Sequence, residues 1–239
     1  MEPNKNQRIS VLFMLYSILF CVCLITANVL ETKQISFGPA NMTAGLIVFP
    51  VSYILNDVVC EVWGYGRTRL LIWIGFAMNF LFVIFGAIAD WIPGAPYWQG
   101  DEGFHQIFGL APRIAGASFL AFICGSFMNA YVMSRMKLST LHRPSASGGF
   151  AKNFSARAVL STIFGELTDS IIFFPLALGG VIPWEEMPSL VITQVTIKTL
   201  YEIVALPVTI RVVKFTKAHD HEDVFDRDIT YNIFKITKL

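Results

Sequence analysis

Residues 49–69 read FPVSYILNDVVCEVWGYGRTR, and this stretch decides what kind of protein the chain makes. It opens inside a long apolar run, yet it carries Pro50, Asn56, Asp57 and Glu61 where a lipid-facing helix would hold only hydrocarbon side chains. An ionisable group at membrane depth is costly, so its presence points to an internal polar site. Helical spacing sets Tyr53, Asp57 and Glu61 four residues apart on one face, where they can line a common cavity. Pro50 removes a backbone hydrogen bond and predicts a kink or interruption in that span.

The surroundings support a membrane setting. The 239-residue chain is 54% hydrophobic and only 15% charged, with a mean hydropathy of +0.58, too apolar for a soluble domain of this size. Six apolar runs approach the roughly 20 helical residues that a hydrocarbon core demands. They cover 9–30, 43–62, 70–89, 114–136, 158–182 and 190–213. The first is too long for the apolar part of a signal peptide and has no clear cleavage site, so it reads as the first spanning helix. The expected fold is an all-α integral membrane protein with six transmembrane helices. Residues 1–215 form the transmembrane domain and 216–239 a cytoplasmic tail.

Charge placement orients the bundle. Lys5, Arg8, Arg67, Arg69, Arg135, Lys137, Arg143, Lys152, Arg157 and the basic residues after Val213 fall on one side, Lys33 and Arg113 on the other. The positive-inside rule therefore puts both termini in the cytoplasm. Trp91, Trp184 and Trp63 sit at the ends of runs, where an aromatic belt is expected. A net charge of +1 gives no basic excess for a nucleic-acid partner, so the lipid bilayer is the expected surrounding. Cys21, Cys23, Cys60 and Cys124 have no zinc-site spacing and read as buried small hydrophobes; neither a metal nor a cofactor is expected.

Two further stripes of polar residues cross the membrane. In the fifth run Thr162, Glu166, Asp169 and Phe173 recur at intervals of four, three and four, which sets two carboxylates on one face. Such carboxylates repel each other unless protonated, paired or wet. The sixth run carries Gln194, Lys198 and Glu202 at four-residue spacing. Lys198 and Glu202 can form an ion pair within the helix, but lining a polar cavity is the favoured reading, since a pair facing lipid gains little. Asn79 in the third run suits a hydrogen bond between helices, a substrate contact, or both. Glu61 keeps two readings, site residue or interfacial partner of Arg67 or Arg69. Taken together, Asp57, Glu61, Glu166, Asp169 and Glu202 face only Lys198, a balance that favours cations, protons or a ligand rich in N–H donors.

The remaining segments are more ordinary. Residues 91–112 form the longest external loop, able to cap an outer mouth. Gly116, Ala117, Gly125, Ser126 and Ala130 give the fourth run a small-residue face suited to another helix or to a homodimer. Ser145, Ser147, Gly148 and Gly149 mark a flexible basic connection, and AHDHEDVFDRD near the C-terminus reads as a solvated tail.

Several of these stretches carry a family likeness. VFPVSYILNDVVCEVWGYGRTR, RAVLSTIFGELTDSIIFFPLALGG and KTLYEIVALP resemble, in order, three motifs of the queuosine precursor transporters, also called the vitamin uptake transporter family. DVFDRDITYNIF is similar to that family's tail. The resemblance implies an inner-membrane importer of 7-cyano-7-deazaguanine and 7-aminomethyl-7-deazaguanine for tRNA modification. It also implies a six-helix fold similar to the substrate-binding components of energy-coupling-factor transporters. The family's acidic positions fall on Asp57, Glu61, Glu166 and Asp169, with Lys198 and Glu202 in the third motif. A guanine-like edge offers donors that a carboxylate accepts, while its oxygen needs a donor such as Lys198, Gln194 or an asparagine such as Asn56 or Asn79. Phe49, Tyr53 and Phe173 are candidates to stack on the heterocycle. The alternatives are a binding component that needs a separate energising module and a membrane-embedded enzyme, for which no nucleophile-base pairing or metalloprotease signature is present.

Overall fold

The computed structural model describes residues 10–31, 33–37, 40–108, 112–141, 150–179, 184–185, 187–226, 231–232 and 234. Helix α1 covers Val11–Glu31 and starts where the Ser10 hydroxyl accepts from the amides of Leu12 and Phe13, at 3.1 and 3.4 Å. That side chain satisfies donors left over at a helix start. A short antiparallel hairpin follows, β1 Gln34–Phe37 and β2 Ala40–Thr43, with Gln34 opposite Thr43. The Gly38-Pro39 turn itself lies outside the described residues. A 3-10 turn over Ala44–Ile47 then leads into α2, Phe49–Trp91.

Pro50 corrects one expectation. It occupies the first turn of α2, where a missing amide hydrogen costs nothing, so it begins this helix rather than kinking it. The break comes at Gly64, with φ 81° and ψ 172°, a conformation that favours glycine. There the helix doubles back. A straight helix would set Tyr53 and Gly75 about 33 Å apart. Instead Phe20 of α1 lies against Gly75 and also 6.0 Å from the ring of Phe122, which itself meets Phe49 and Tyr53 at 5.5 and 6.0 Å. The two arms of α2 are therefore neighbours and make two crossings.

Helix α3, Asp101–Phe108, forms within the external loop. Phe108 packs on Phe82 and Gly86, and His105 meets Asp90 at 2.9 Å, so these contacts hold α3 on the second arm of α2. Helices α4, Pro112–Leu141, and α5, Phe150–Leu178, then pack closely together. The flexible connection expected at Ser145, Ser147, Gly148 and Gly149 lies outside the described residues. A Cβ at Gly125 would sit 2.8 Å from the Gly165 carbonyl, so the two backbones touch where these glycines meet. Ala117, Ser126 and Ala130 are buried too, so this part of the small-residue face of α4 is used within one chain, while Gly116 is exposed. Arg113 donates to the carbonyls of Leu176 and Gly179 and caps the end of α5.

Helix α6, Met187–Asp220, completes the bundle. Four helical stretches are long and apolar enough to cross a membrane: Val11–Leu30, Ala44–Trp91, Phe154–Ala177 and Met187–Asp220. The second doubles back, and α4, with 30 residues, is long enough while less apolar. Among the described residues these supply the six expected crossings of a helical membrane protein. Leu15, Ile18, Phe80, Phe85, Ile192 and Val204 point outward, as lipid-facing side chains do. The core holds Phe20, Val58, Val59, Val62, Phe122, Met133 and Phe154. Trp91 and Trp184 are exposed, but Trp63 is buried between Phe13 and Tyr16 and does not belong to an aromatic belt. Cys23 and Cys60 are buried as expected, whereas Cys124 faces outward.

Candidate functional site

An acidic cluster forms where the first arm of α2 meets α4, α5 and α6. Asp57 comes from α2, Glu166 and Asp169 from one face of α5, and Glu202 from α6; all are buried. Lys198 of α6 reaches across to α5, with Nζ 2.7 Å from Glu166 Oε2 and 3.4 Å from Asp169 Oδ2. The same ammonium stands 3.9 Å above the centroid of the Phe49 ring. Burying charges is expensive, and here geometry supplies mutual attraction for three of them. The pairing corrects one alternative: Lys198 reaches across to the carboxylates of α5, while the polar neighbours of Glu202 are Thr162 and Asp57.

Aromatic rings border the charged groups. Phe49 and Tyr53 lie 5.4 Å apart and both contact Phe122 of α4. The Tyr53 hydroxyl projects into the α4–α5 crossing, where a Cβ at Gly125 would come within 2.5 Å of it. Polar side chains of α4 complete the group. Asn129 Nδ2 donates to Asp57 Oδ1 at 2.7 Å, and Asn56 Nδ2 reaches the Ser126 carbonyl at 3.5 Å. Among the described residues Asn56 Oδ1, Asn129 Oδ1, Glu166 Oε1 and Ser170 Oγ are buried with no hydrogen-bond partner, and Asp57 Oδ2 and Thr162 Oγ1 have only the Glu202 carboxyl beside them. Native interiors seldom leave so many polar atoms unsatisfied together. Most of these atoms are acceptors, so the complementary ligand is a donor of N–H groups.

The structure sorts the expected residues into groups. Phe49, Tyr53, Asn56, Asp57, Thr162, Glu166, Asp169, Lys198 and Glu202 come together. Asn79 is buried one turn beyond Gly75, on the face of α2 turned toward Phe20 and Leu24 of α1. Phe173 is half-buried against Phe174, and Gln194 is half-buried on α6. None of these three has a hydrogen bond or ion pair to the acidic cluster among the described residues.

Glu61 belongs to a second cluster. Its carboxylate meets Lys217 Nζ at 2.7 Å and Arg157 at 2.9 Å, with Lys137 at 4.0 Å. Arg67 instead pairs with Glu222 at 3.1 Å, and Arg69 donates to the Asn232 carbonyl at 2.8 Å. Asp223 completes the network with Lys137 at 2.7 Å and Lys217 at 2.9 Å. This corrects the solvated-tail reading. Past Asp220 the chain folds back on the bundle, the Val224 amide donates to the Val62 carbonyl, and buried Asp226 accepts from the Tyr65 amide and the Ser134 hydroxyl.

Sequence reasoning missed Asn129, Phe122, Ser170 and the cations that hold Glu61. Asn129 was available as a polar residue within an apolar run, one turn after Gly125. Lys137, Arg157 and Lys217 lie at the ends of runs, where orientation and ion pairing call for the same residues.

A multi-crossing helical bundle with charged groups buried between its helices has the build of a membrane transport protein. The chain belongs to the family described as "Putative vitamin uptake transporter", which matches residues 43–212 and is a family of transporters rather than enzymes. It is similar to the "Probable queuosine precursor transporter" of Bacillus subtilis (strain 168), with 26% identity over 77% of this chain and 76% of that one. It is also similar to the "Queuosine precursor transporter" of Escherichia coli (strain K12), with 24% identity over 73% of this chain and 72% of the relative. A "Probable queuosine precursor transporter" of Haemophilus influenzae is 24% identical over 61% of this chain and 57% of its own length. No solved structure gives a significant match.

Proposed function

We propose that this protein carries 7-deazaguanine precursors of queuosine, the 7-cyano or 7-aminomethyl form, across the bacterial inner membrane for tRNA modification. The observation that carries the reading is the surplus of buried acceptors at Asp57, Asn129, Glu166 and Glu202, set beside the rings of Phe49 and Tyr53. A deazaguanine is flat, offers ring N–H and exocyclic amine donors, and presents an oxygen that Lys198 can meet. The aminomethyl form adds a cation that suits the carboxylates. The names of the bacterial relatives support the same substrate class.

Both termini lie on the cytoplasmic side in this reading, with the cluster of Lys137, Arg157 and Lys217 marking the inner end. Residues 1–215 hold the transport path in this reading, and residues 221–226 lie against its inner face. A homodimer would have to use outward faces, because the small residues of α4 meet α5.

Thermal melting of the purified protein tests the substrate class. A ligand at about a hundredfold excess over its dissociation constant stabilises the folded state by about 2.7 kcal/mol. Stabilisation by the two deazaguanines, but not by guanine or two unrelated vitamins, is the expected result. No shift in a folded sample would sink the substrate assignment. The second reading is a binding component of an energy-coupling-factor assembly, whose binding parts the resemblance also suggests. Uptake into liposomes holding this chain alone would exclude it.

A further inference from the structure

We infer that Asn129 is a ligand-reading residue, whose Oδ1, held in place by Asp57, accepts from the exocyclic amine of a 2-amino-4-oxo heterocycle. The inference rests on the deazaguanine reading above and adds the residue that selects for the 2-amino group. Asn129 lies on α4 and is fully buried. Its Nδ2 donates to Asp57 Oδ1 at 2.7 Å. That bond fixes the sense of the amide, because turning it over would face Oδ1 against a carboxylate oxygen, acceptor against acceptor.

Acceptors are then left over. Among the described residues Asn129 Oδ1 and Asp57 Oδ2 are both buried with no donor to accept from, on side chains joined by one hydrogen bond, and Glu202 lies against Asp57 as a further acceptor. The complement of two neighbouring acceptors is two neighbouring donors on one planar edge, such as a ring N–H beside an exocyclic amine. A heterocycle lacking the amine leaves one acceptor unsatisfied in the interior, and sites built on polar contacts discriminate strongly in that case.

Packing does not account for the amide. A Cβ at Gly165 would lie 2.9 Å from Asn129 Cβ, so α5 presses on the first atom of this side chain. Asn129→Ala keeps that atom and removes the amide alone. The substitution therefore separates recognition from packing.

The test measures dissociation constants of the full chain in detergent for 7-cyano-7-deazaguanine and for the same compound without its 2-amino group. Wild-type protein is expected to prefer the 2-amino compound by about tenfold or more, the scale of one lost buried hydrogen bond. Asn129→Ala is expected to weaken binding of that compound and leave the other unchanged, bringing the ratio toward one. Asn129→Ser, which also keeps Cβ, replaces it should the alanine variant not fold. An unchanged ratio, or an equal loss for both compounds, overturns the role of Asn129 while the deazaguanine reading stands. Wild-type protein that binds neither compound overturns that reading and this inference with it.

Discussion

Lys198 of α6 holds its ammonium 2.7 Å from Glu166 Oε2 of α5 while standing 3.9 Å above the ring of Phe49 of α2, so one cation ties three helices together at the acidic cluster. Glu166 and Asp169 both lie within its reach. The stability of the bundle is therefore expected to depend on this residue, and, under the function proposed above, the affinity for a ligand as well.

Removing one partner of a buried pair leaves an uncompensated charge and costs about 3–5 kcal/mol. Lys198→Met is expected to lower the melting temperature sharply, and adding Glu166→Gln is expected to restore part of it. Glu166→Gln alone is expected to keep membrane expression and lose at least about tenfold in precursor uptake, the scale of one charged hydrogen bond. Melting curves and uptake assays on the three variants check this. Normal uptake by Glu166→Gln would remove Glu166 from the site.

The crossing of α4 and α5 is set by glycines. A methyl group at Gly125 meets the Tyr53 hydroxyl at 2.5 Å and the Gly165 carbonyl at 2.8 Å, one of them backbone that cannot swing aside. Alanine gains up to about 1 kcal/mol in helix propensity over glycine, and overpacking costs about 1–3 kcal/mol. Gly125→Ala is expected to destabilise the protein and loosen Tyr53 from its place, which melting and ligand titration would report. Gly116→Ala, with nothing within 4 Å of its Cβ, is expected to leave Tyr53 in place and to gain up to about 1 kcal/mol in stability.

The reversal of α2 depends on Gly64 and on the chain that lies against it. A Cβ there would meet Asp226 Oδ1 at 2.7 Å and Val224 Cγ1 at 2.9 Å, on a backbone with positive φ. Gly64→Ala is expected to cost several kcal/mol, through about 1–3 kcal/mol of backbone strain plus the clash. Asp226→Ala, which strips the Tyr65 amide of its acceptor, is expected to cost about 1–3 kcal/mol. Folded yield by size-exclusion chromatography and melting temperature read both.

The network around Glu61 makes stability depend on acid. Burial pushes the carboxyl of Asp223 up, but the ammonium groups of Lys137 and Lys217 outweigh it and hold this group below the usual carboxylate range. A carboxyl depressed in the folded state stabilises fully above its unfolded value, about 3.9, and loses that contribution as pH falls through the folded one. The melting temperature of wild type is thus expected to fall as pH drops below about 4. Asp223→Asn is expected to flatten part of that fall. Identical pH profiles would show that the tail contributes nothing through this charge.

Much of the site was legible along single helices. The four-residue spacing of Tyr53, Asp57 and Glu61, and the stripe of Thr162, Glu166 and Asp169, follow from the helical period, which the apolar runs impose. Partners were harder to read. Lys198 lies one turn from Glu202 in sequence yet pairs across to Glu166, and Glu61 passes over nearby Arg67 for Arg157 and Lys217. Pro50 looked like the break in α2, but the helix starts there and turns back at Gly64.

By itself the sequence determined the membrane setting, the helical class and the residues able to hold charge at depth, because hydrophobic run length and helical periodicity are local properties. The tertiary structure alone decided which charges meet. It brought Asn129 to Asp57, split Glu61 from the acidic cluster, and folded Asp223 and Asp226 back onto the bundle. Pairing between helices depends on how close two backbones come and how far each side chain reaches, and Gly125, Gly165 and Gly64 set those distances only once the helices are packed.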